Sequence, residues 1–364
     1  MPELERIPPN EAEMIEKIVK LTAGQMKTRY PDKDQIRRGV HPKDHGCVMA
    51  RFQVKDSLPE HLRIGVFALP GHTYGAWIRF SNAALRIGRD ASTGKDGAAQ
   101  HGSRGMAVKL MGVTGNSLVP THGPLTQDFL MINQPVFAFS NVEDYLALNE
   151  VLSRDGDVKP PVGFFTRTMD AAAAQRAKRT REIIGQIQSA EPFPAPPFAF
   201  QKPPASPVDN RYFSGSPFLF GEDRIMKFSA SPLDPSSAVP NTGDEDYLRT
   251  ALLERLTAPD AKDIVFDFQV QVRAASSLDI ETEIEDACGE WREEDHPFVT
   301  VATIAIPPQN FDTDERKRLG EDLTFTPWHG IAEHRPLGGI NRLRLAVYEA
   351  STQLRHVPPE PAHY

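Results

Sequence analysis

Three residues near the end of the chain have types and spacing suited to chemistry: Arg344, Tyr348 and Arg355. They fall in a stretch, 338–356, that begins at Gly338-Gly339 and is stopped by Pro358-Pro359, the punctuation of a helix. At about 100° per residue the three lie at relative angles of roughly 0°, 40° and 20°, so all project from one helix face. Leu343, Val347 and Leu354 form the apolar stripe beside them. A guanidinium one turn before a phenol favours the phenolate and lowers its pKa below the usual value of about 10. A phenolate is an anionic oxygen ligand suited to ferric iron. The same spacing also serves a solvated Arg–Tyr pair. A second group crowds the loop-like segment RRGVHPKDHG, which carries Arg38, Val40, His41 and His45. His41 and His45 have the spacing of half a metal site, yet no third ligand in matching context accompanies them.

The elements that must position these residues are mostly short. Residues 10–29 predict a helix, with Asn10 and Glu13 as a capping box and Met14, Ile18, Leu21 and Met26 at near-helical spacing. Four strand candidates follow at 46–54, 76–81, 105–113 and 127–133, each bounded by Gly, Pro, Asn or Asp. Helices are predicted over 141–152 and 169–188. The Pro- and Phe-rich stretch 191–207 suits neither helix nor free linker and is expected to cross a surface in extended form. A second strand series is predicted at 224–229, 264–273, 280–284 and 298–306, with a helix near 243–258. Two four-stranded blocks with intervening helices read as α+β, and the blocks can close one barrel.

Composition excludes several function classes. The formal charge of −8, from 49 acidic and 41 basic residues spread along the chain, argues against a nucleic-acid partner or a polybasic membrane patch. Cys47 and Cys288 are too few for a disulfide framework or a cysteine zinc site, and are expected to be buried thiols in a reducing compartment. The N-terminus mixes acids and prolines where a signal peptide has a basic start and apolar core, and no stretch reaches membrane-spanning length. The expectation is a soluble, cytoplasmic protein. Its 32 prolines, against a usual level of about 5%, point to many ordered loops.

Taken together, four segments resemble the haem-binding core of monofunctional catalases, in order and over roughly residues 30–356. In RRGVHPKDHGCVMARFQV, Arg38, Val40 and His41 fall at the places of the catalase arginine, valine and distal histidine. WIRFS matches the Arg-Phe-Ser of the second strand and gives Arg79. GSRGMAVKLMGV followed by DFLMINQPVF is similar to the Arg-Gly-x-Ala-x-Lys and Asn-x-Pro-x-Phe runs, which places a distal asparagine at Asn133 and a pocket phenylalanine at Phe137. FTPWHGIAEHRPLGGINRLRLAVYEASTQLRH resembles the proximal segment, with Tyr348 as axial iron ligand, Arg344 four before it and Arg355 seven after it. The closest likeness is to the short catalase-related haem proteins, a branch that includes catalase-related peroxidases and, more distantly, allene oxide synthases.

The resemblance implies a fold class of α+β: an antiparallel eight-stranded barrel with flanking helices, as a single haem-binding domain over 1–364 with an N-terminal helix and arm at 1–36. It implies haem b as cofactor, with Arg38, Arg79 and Arg355 on the propionates and Tyr348 on the iron, kept ionised by Arg344. His41 would relay the peroxide proton and Asn133 orient the peroxide. The substrates would be hydrogen peroxide or an organic hydroperoxide, with an organic electron donor as second partner. A fatty-acid hydroperoxide lyase or isomerase, or a carrier or sensor without turnover, are the alternatives.

Departures from the catalase pattern sharpen these expectations. One extra residue between His41 and the strand makes His45 a rival for the distal role. Ala138 stands where catalases have a second phenylalanine, which predicts a wider pocket. Val40 lacks the hydroxyl that allene oxide synthases place before the distal histidine, which favours peroxide cleavage over dehydration. Trp328 and His329 are expected to pack under the haem edge. The C-terminal catalase domain is expected to be absent, and the assembly simpler than the catalase tetramer, with a homo-oligomer left open.

Overall fold

The computed structural model describes the chain apart from residues 1–3, 33–35, 94–98, 120–125, 156–161, 189–202 and 358–364. The Pro- and Phe-rich crossing predicted at 191–207 therefore lies largely outside the described residues. Among the described residues there are eleven strands: β1 (Asp44–Val54), β2 (Thr73–Asn82), β3 (Ala91–Thr93), β4 (Ala99–His101), β5 (Arg104–Met111), β6 (Thr126–Ile132), β7 (Tyr212–Phe213), β8 (Phe218–Leu219), β9 (Arg224–Pro232), β10 (Ile264–Ala274) and β11 (Val299–Ile306). Eight of them, in the order β1-β2-β5-β6-β7-β9-β10-β11, close an antiparallel barrel because β11 pairs back onto β1 and β9 onto β10. The strands β3 and β4 form a separate hairpin, and β8 extends the sheet beyond β9.

Two-residue periodicity sorts the barrel wall into two faces. Across β1, β2, β5 and β6 the row Val48, Ile78, Val108 and Phe129 points inward and is fully buried. The adjacent row, Cys47, Arg79, Ala107 and Leu130, points outward, as does the row of Ser81, Gly105 and Ile132. Aromatic rings fill the interior: Phe129 packs at 4.8 Å from Phe268, 5.0 Å from Phe228 and 6.1 Å from Phe52. The barrel is thus a packed core, and any site has to be built on its outer wall.

Among the described residues seven helices flank it: α1 (Glu11–Arg29), α2 (Val142–Asp155), α3 (Val162–Thr166), α4 (Ala171–Gln188), α5 (Tyr247–Thr257), α6 (Asp314–Asp322) and α7 (Gly339–Leu354). Met14 and Ile18 of α1 pack on Val142 and Leu343, which ties α1 and α2 to α7. The start of α7 is pinned electrostatically, since Arg342 reaches Glu5, Glu11 and Glu285 at 2.5, 2.6 and 2.9 Å. Gly338 precedes it with φ +85°, and a Cβ there would lie 2.4 Å from the Ile284 carbonyl oxygen, so glycine is required.

Three local expectations are corrected. Residues 280–284 are not a strand but part of a π-helical turn, Ile280–Glu285, whose Thr282 amide donates to Asp279 Oδ1 at 2.9 Å. Ile280 and Ile284 share one apolar cluster with Trp291 and Leu337, a four-residue spacing that a helix satisfies as well as a strand does. The eighth barrel strand is instead β7, whose two residues are too few to leave a periodic signal. Asn10 makes no capping box, because its side chain turns to Met14 Sδ at 3.9 Å.

Phe129→Ala removes the ring shared by four barrel strands and is expected to cost about 3–5 kcal/mol, read as a lowered midpoint in denaturant unfolding.

Candidate functional site

A cavity of about 850 Å³, partly open to solvent, lies between the outer face of β2, β5 and β6 and the helix α7. Eight of the nine predicted site residues line it: Arg38, Val40, His41, Arg79, Phe137, Arg344, Tyr348 and Arg355. The helix contributes as its period requires, with Ser351 and Thr352 completing the face of Arg344, Tyr348 and Arg355. The strand wall is flat where Gly105 and Ala107 lie, because neither carries more than a methyl group.

His41 rests on that wall. Its Nδ1 lies 2.9 Å from Ser81 Oγ, and a Cβ on Gly105 would come within 2.6 Å of its ring. The backbone at His41 has φ +55°, a left-handed conformation unusual for a residue with a side chain. Burial, reinforced by Arg79, Arg344 and Arg38, lowers its pKa to about 3, so the imidazole is neutral at physiological pH. His45 is placed elsewhere: its Nε2 is 2.8 Å from Asn82 Oδ1, inside a buried network that includes Asp90, Arg104 and Lys43. The distal rival is therefore structural, and among the described residues no cluster of metal-ligating side chains occurs.

On the helix wall, Arg344 Nε donates to the Tyr348 phenol oxygen at 3.4 Å, and Arg344 Nη1 donates to Asn341 Oδ1 at 3.1 Å. Asn341 is fully buried, and its orientation is set by Nδ2 donating to the Leu337 and Pro217 carbonyls at 2.9 and 3.3 Å. Its oxygen also accepts from Ser216 Oγ at 3.2 Å. Arg344 also lies over the Phe137 ring, 5.6 Å from its centre.

At one end of the cavity arginines converge. Arg38 donates to the Gly320 and Leu323 carbonyls at 2.9 and 2.6 Å, closing the end of α6, and meets Glu321 at 3.2 Å. Arg355 donates to the Glu321 carbonyl at 2.7 Å, and Arg37 and Arg79 approach the Glu321 carboxylate at 3.3 and 4.0 Å. Burial alone would push the Glu321 carboxyl up, but Arg38, Arg79, Arg37 and Arg355 outweigh it and hold the pKa below its ordinary value. Burial lowers Arg38 well below its usual value and Arg355 to about 10, with Arg79 acting in the same sense on both. Arg79 Nε and Nη2 and Arg355 Nε are buried without a hydrogen-bond partner, although Asp44 Oδ2 lies 3.3 Å from Arg79 Nε. This end therefore carries positive charge and unused donors suited to a dicarboxylate.

Several expectations are corrected. Asn133 does not line the cavity. Its Oδ1 accepts from the Arg104 amide at 2.7 Å and Gln134 at 2.8 Å, and its Nδ2 donates to Asn210 at 2.8 Å. Ala138 packs against Val136, Ile183 and Cys288 rather than widening the cavity. Trp328 donates to the Asn341 carbonyl at 2.7 Å, and His329 joins the buried pair of Lys109 and Asp128, so neither packs at the cavity. Both cysteines are buried as expected, and burial pushes each thiol up to about 12. Three residues of the site went unrecognised in the sequence: Ser81, Glu321 and Asn341. Ser81 alone had a local signal, since it follows Arg79 by two and so shares its face.

No protein-family model matches the chain, and no curated sequence matches it at significant similarity. Solved structures do. A bacterial catalase superposes with a TM-score of 0.61 over 88% of this chain at 15% identity, and a fungal catalase with 0.61 over 88% at 17%. Catalase A from Saccharomyces cerevisiae superposes with 0.63 over 88% at 16%. The fold is that of the catalases. The chain spans about three fifths of the catalases it matches, 57%, 59% and 61% of their lengths. Among the described residues no helix is long and apolar enough to cross a membrane.

His41, His45 and His334 are held near 3, 4 and 4, below the unfolded value of 6.5. Below pH 6.5 the unfolded chain therefore binds more protons than the folded one, and stability falls as pH drops. The urea midpoint is expected to decline steadily between pH 6.5 and about 4; a flat midpoint there counts against the neutral histidines.

Proposed function

We propose that the chain is a haem-dependent peroxidase that cleaves hydrogen peroxide or organic hydroperoxides. The observation that carries the reading is the composition of one cavity: a neutral histidine on one wall, an arginine-supported tyrosine on the other, and partnerless guanidinium nitrogens at one end. That donor set fits haem b. Arg38, Arg79 and Arg355 would neutralise its two propionates, and Tyr348 would hold its iron. When bound, the ferric group supplies a Lewis-acidic centre and the electrons for O–O cleavage, which an anionic oxygen ligand favours.

The chain's residues do the rest. Ser81 fixes Nδ1 of His41, which leaves the other ring nitrogen to take a proton from the hydroperoxide and return it to the departing oxygen. Burial, reinforced by Arg79, Arg344 and Arg38, keeps that nitrogen unprotonated before substrate arrives. Arg344 orients the Tyr348 oxygen and stabilises negative charge on it. The apolar lining, including Met106, Leu130, Ile132 and Phe325, excludes water and suits the organic part of a hydroperoxide. With Asn133 engaged elsewhere, orienting the peroxide falls to His41 together with the proton transfer.

Reconstitution with haem is expected to yield the visible spectrum of five-coordinate, tyrosinate-ligated ferric haem, and Tyr348→Phe to abolish it; an unchanged spectrum in that variant overturns the ligand assignment. His41→Ala is expected to slow peroxide cleavage by about 10²–10⁴-fold, whereas Asn133→Ala changes it far less. Because His41 stays neutral down to about pH 3, the wild-type cleavage rate is expected to hold constant from pH 8 to about 4 in a stopped-flow pH series.

A further inference from the structure

Beyond the arginine end of the cavity lies a second hollow, open to solvent, and Arg355 lines both. Its polar walls are Arg37, Lys317, Arg318, Glu321, Asp322 and Arg355. Lys317, Arg318, Glu321 and Asp322 share one face of α6, while Arg37 and Arg355 arrive from opposite ends of the chain. The two acids do not cancel the four cations. Glu321 is already engaged, its Oε2 held at 3.3 Å by Arg37 and 3.2 Å by Arg38, and Asp322 is the other acid of the lining. Lys317 is half exposed and pairs with Asp312 at 3.0 Å, and Arg318 is exposed with no ion-pair or hydrogen-bond partner among the described residues. A cationic hollow in a chain of net charge −8 is a local reversal of field that attracts and orients small anions.

We propose that this hollow is the docking site for an anionic organic electron donor, a hydroxylated aromatic carboxylate. The assignment rests on the peroxidase reading, because Arg355 lines both this hollow and the main cavity, where it would hold a propionate of the cofactor. The carboxylate pairs with Arg318, with Lys317 beside it shared with Asp312, and its ring lies along Ile36 and Val357, the apolar lining of the hollow. The overall reaction balances. The peroxide O–O bond breaks and takes up two electrons and two protons to give an alcohol and water, or two waters. The donor's two hydroxyls lose the same two electrons and two protons and become a quinone. The hollow thus selects the reductant, while the main cavity handles the peroxide.

The test compares 3,4-dihydroxybenzoate with catechol, its uncharged counterpart, as donors to the haem-loaded enzyme. In the Lys317→Glu/Arg318→Glu double variant, kcat/KM for dihydroxybenzoate relative to catechol is expected to fall at least about tenfold, and its salt dependence to weaken. Arg318→Lys is expected to retain most of the ratio. Calorimetric binding of dihydroxybenzoate to the same proteins is expected to be lost in the double variant and kept in Arg318→Lys. An unchanged ratio, or binding that survives both charge reversals, overturns the proposal. If wild type oxidises neither donor, the peroxidase reading fails, and the calorimetry still decides separately whether the hollow takes the anion.

Discussion

Buried positive charge is the constraint around which the site is organised. Guanidinium groups withdrawn from water are costly unless their charge and donors find partners. Arg38 and Arg355 find theirs in the last carbonyls of α6, where the helix dipole presents partial negative charge, and Arg37, Arg38 and Arg79 share one carboxylate, Glu321. This single knot draws together the loop before β1, the outward row of β2, the end of α6 and the end of α7. Those are the elements that bring His41 and Tyr348 to the same cavity.

The division of labour between barrel and wall follows from packing. Four phenylalanines from four strands occupy the interior, so no ligand space is left there, and the outward rows of β2, β5 and β6 become the site. Small residues on those rows act by what they omit: the missing side chain at Gly105 makes room for the His41 ring. The helix wall is controlled from behind, since Asn341 is fixed by two carbonyls and passes that order to Arg344 and on to Tyr348.

Much of this was legible in the chain because the relevant signals are local. The helical period puts Arg344, Tyr348 and Arg355 on one face, and strand alternation exposes Arg79 outward. The failures have a shared cause, which is dependence on distant partners. Glu321 means nothing until three arginines from elsewhere surround it. The role of Asn133 was assigned by likeness to a motif, and it was redirected by Asn210, 77 positions away. Ile280 and Ile284 satisfy two periods at once, and the tertiary cluster with Trp291 and Leu337 selects the helical one. The strand β7 is held by its neighbours rather than by any pattern of its own.

That short strand has a mechanical consequence. The ring is joined at β6 and β7 by a single registered pair, Ile132 with Phe213, whereas β9 and β10 share nine. Asn133 and Asn210 form a side-chain stitch just beyond that pair. Local stability is lowest where contacts are fewest, and this joint borders the cavity through Ile132 and Ser214. The thinnest joint of the ring and the wall of the cavity are therefore built from the same residues, so a change that alters the seam alters the cavity wall with it.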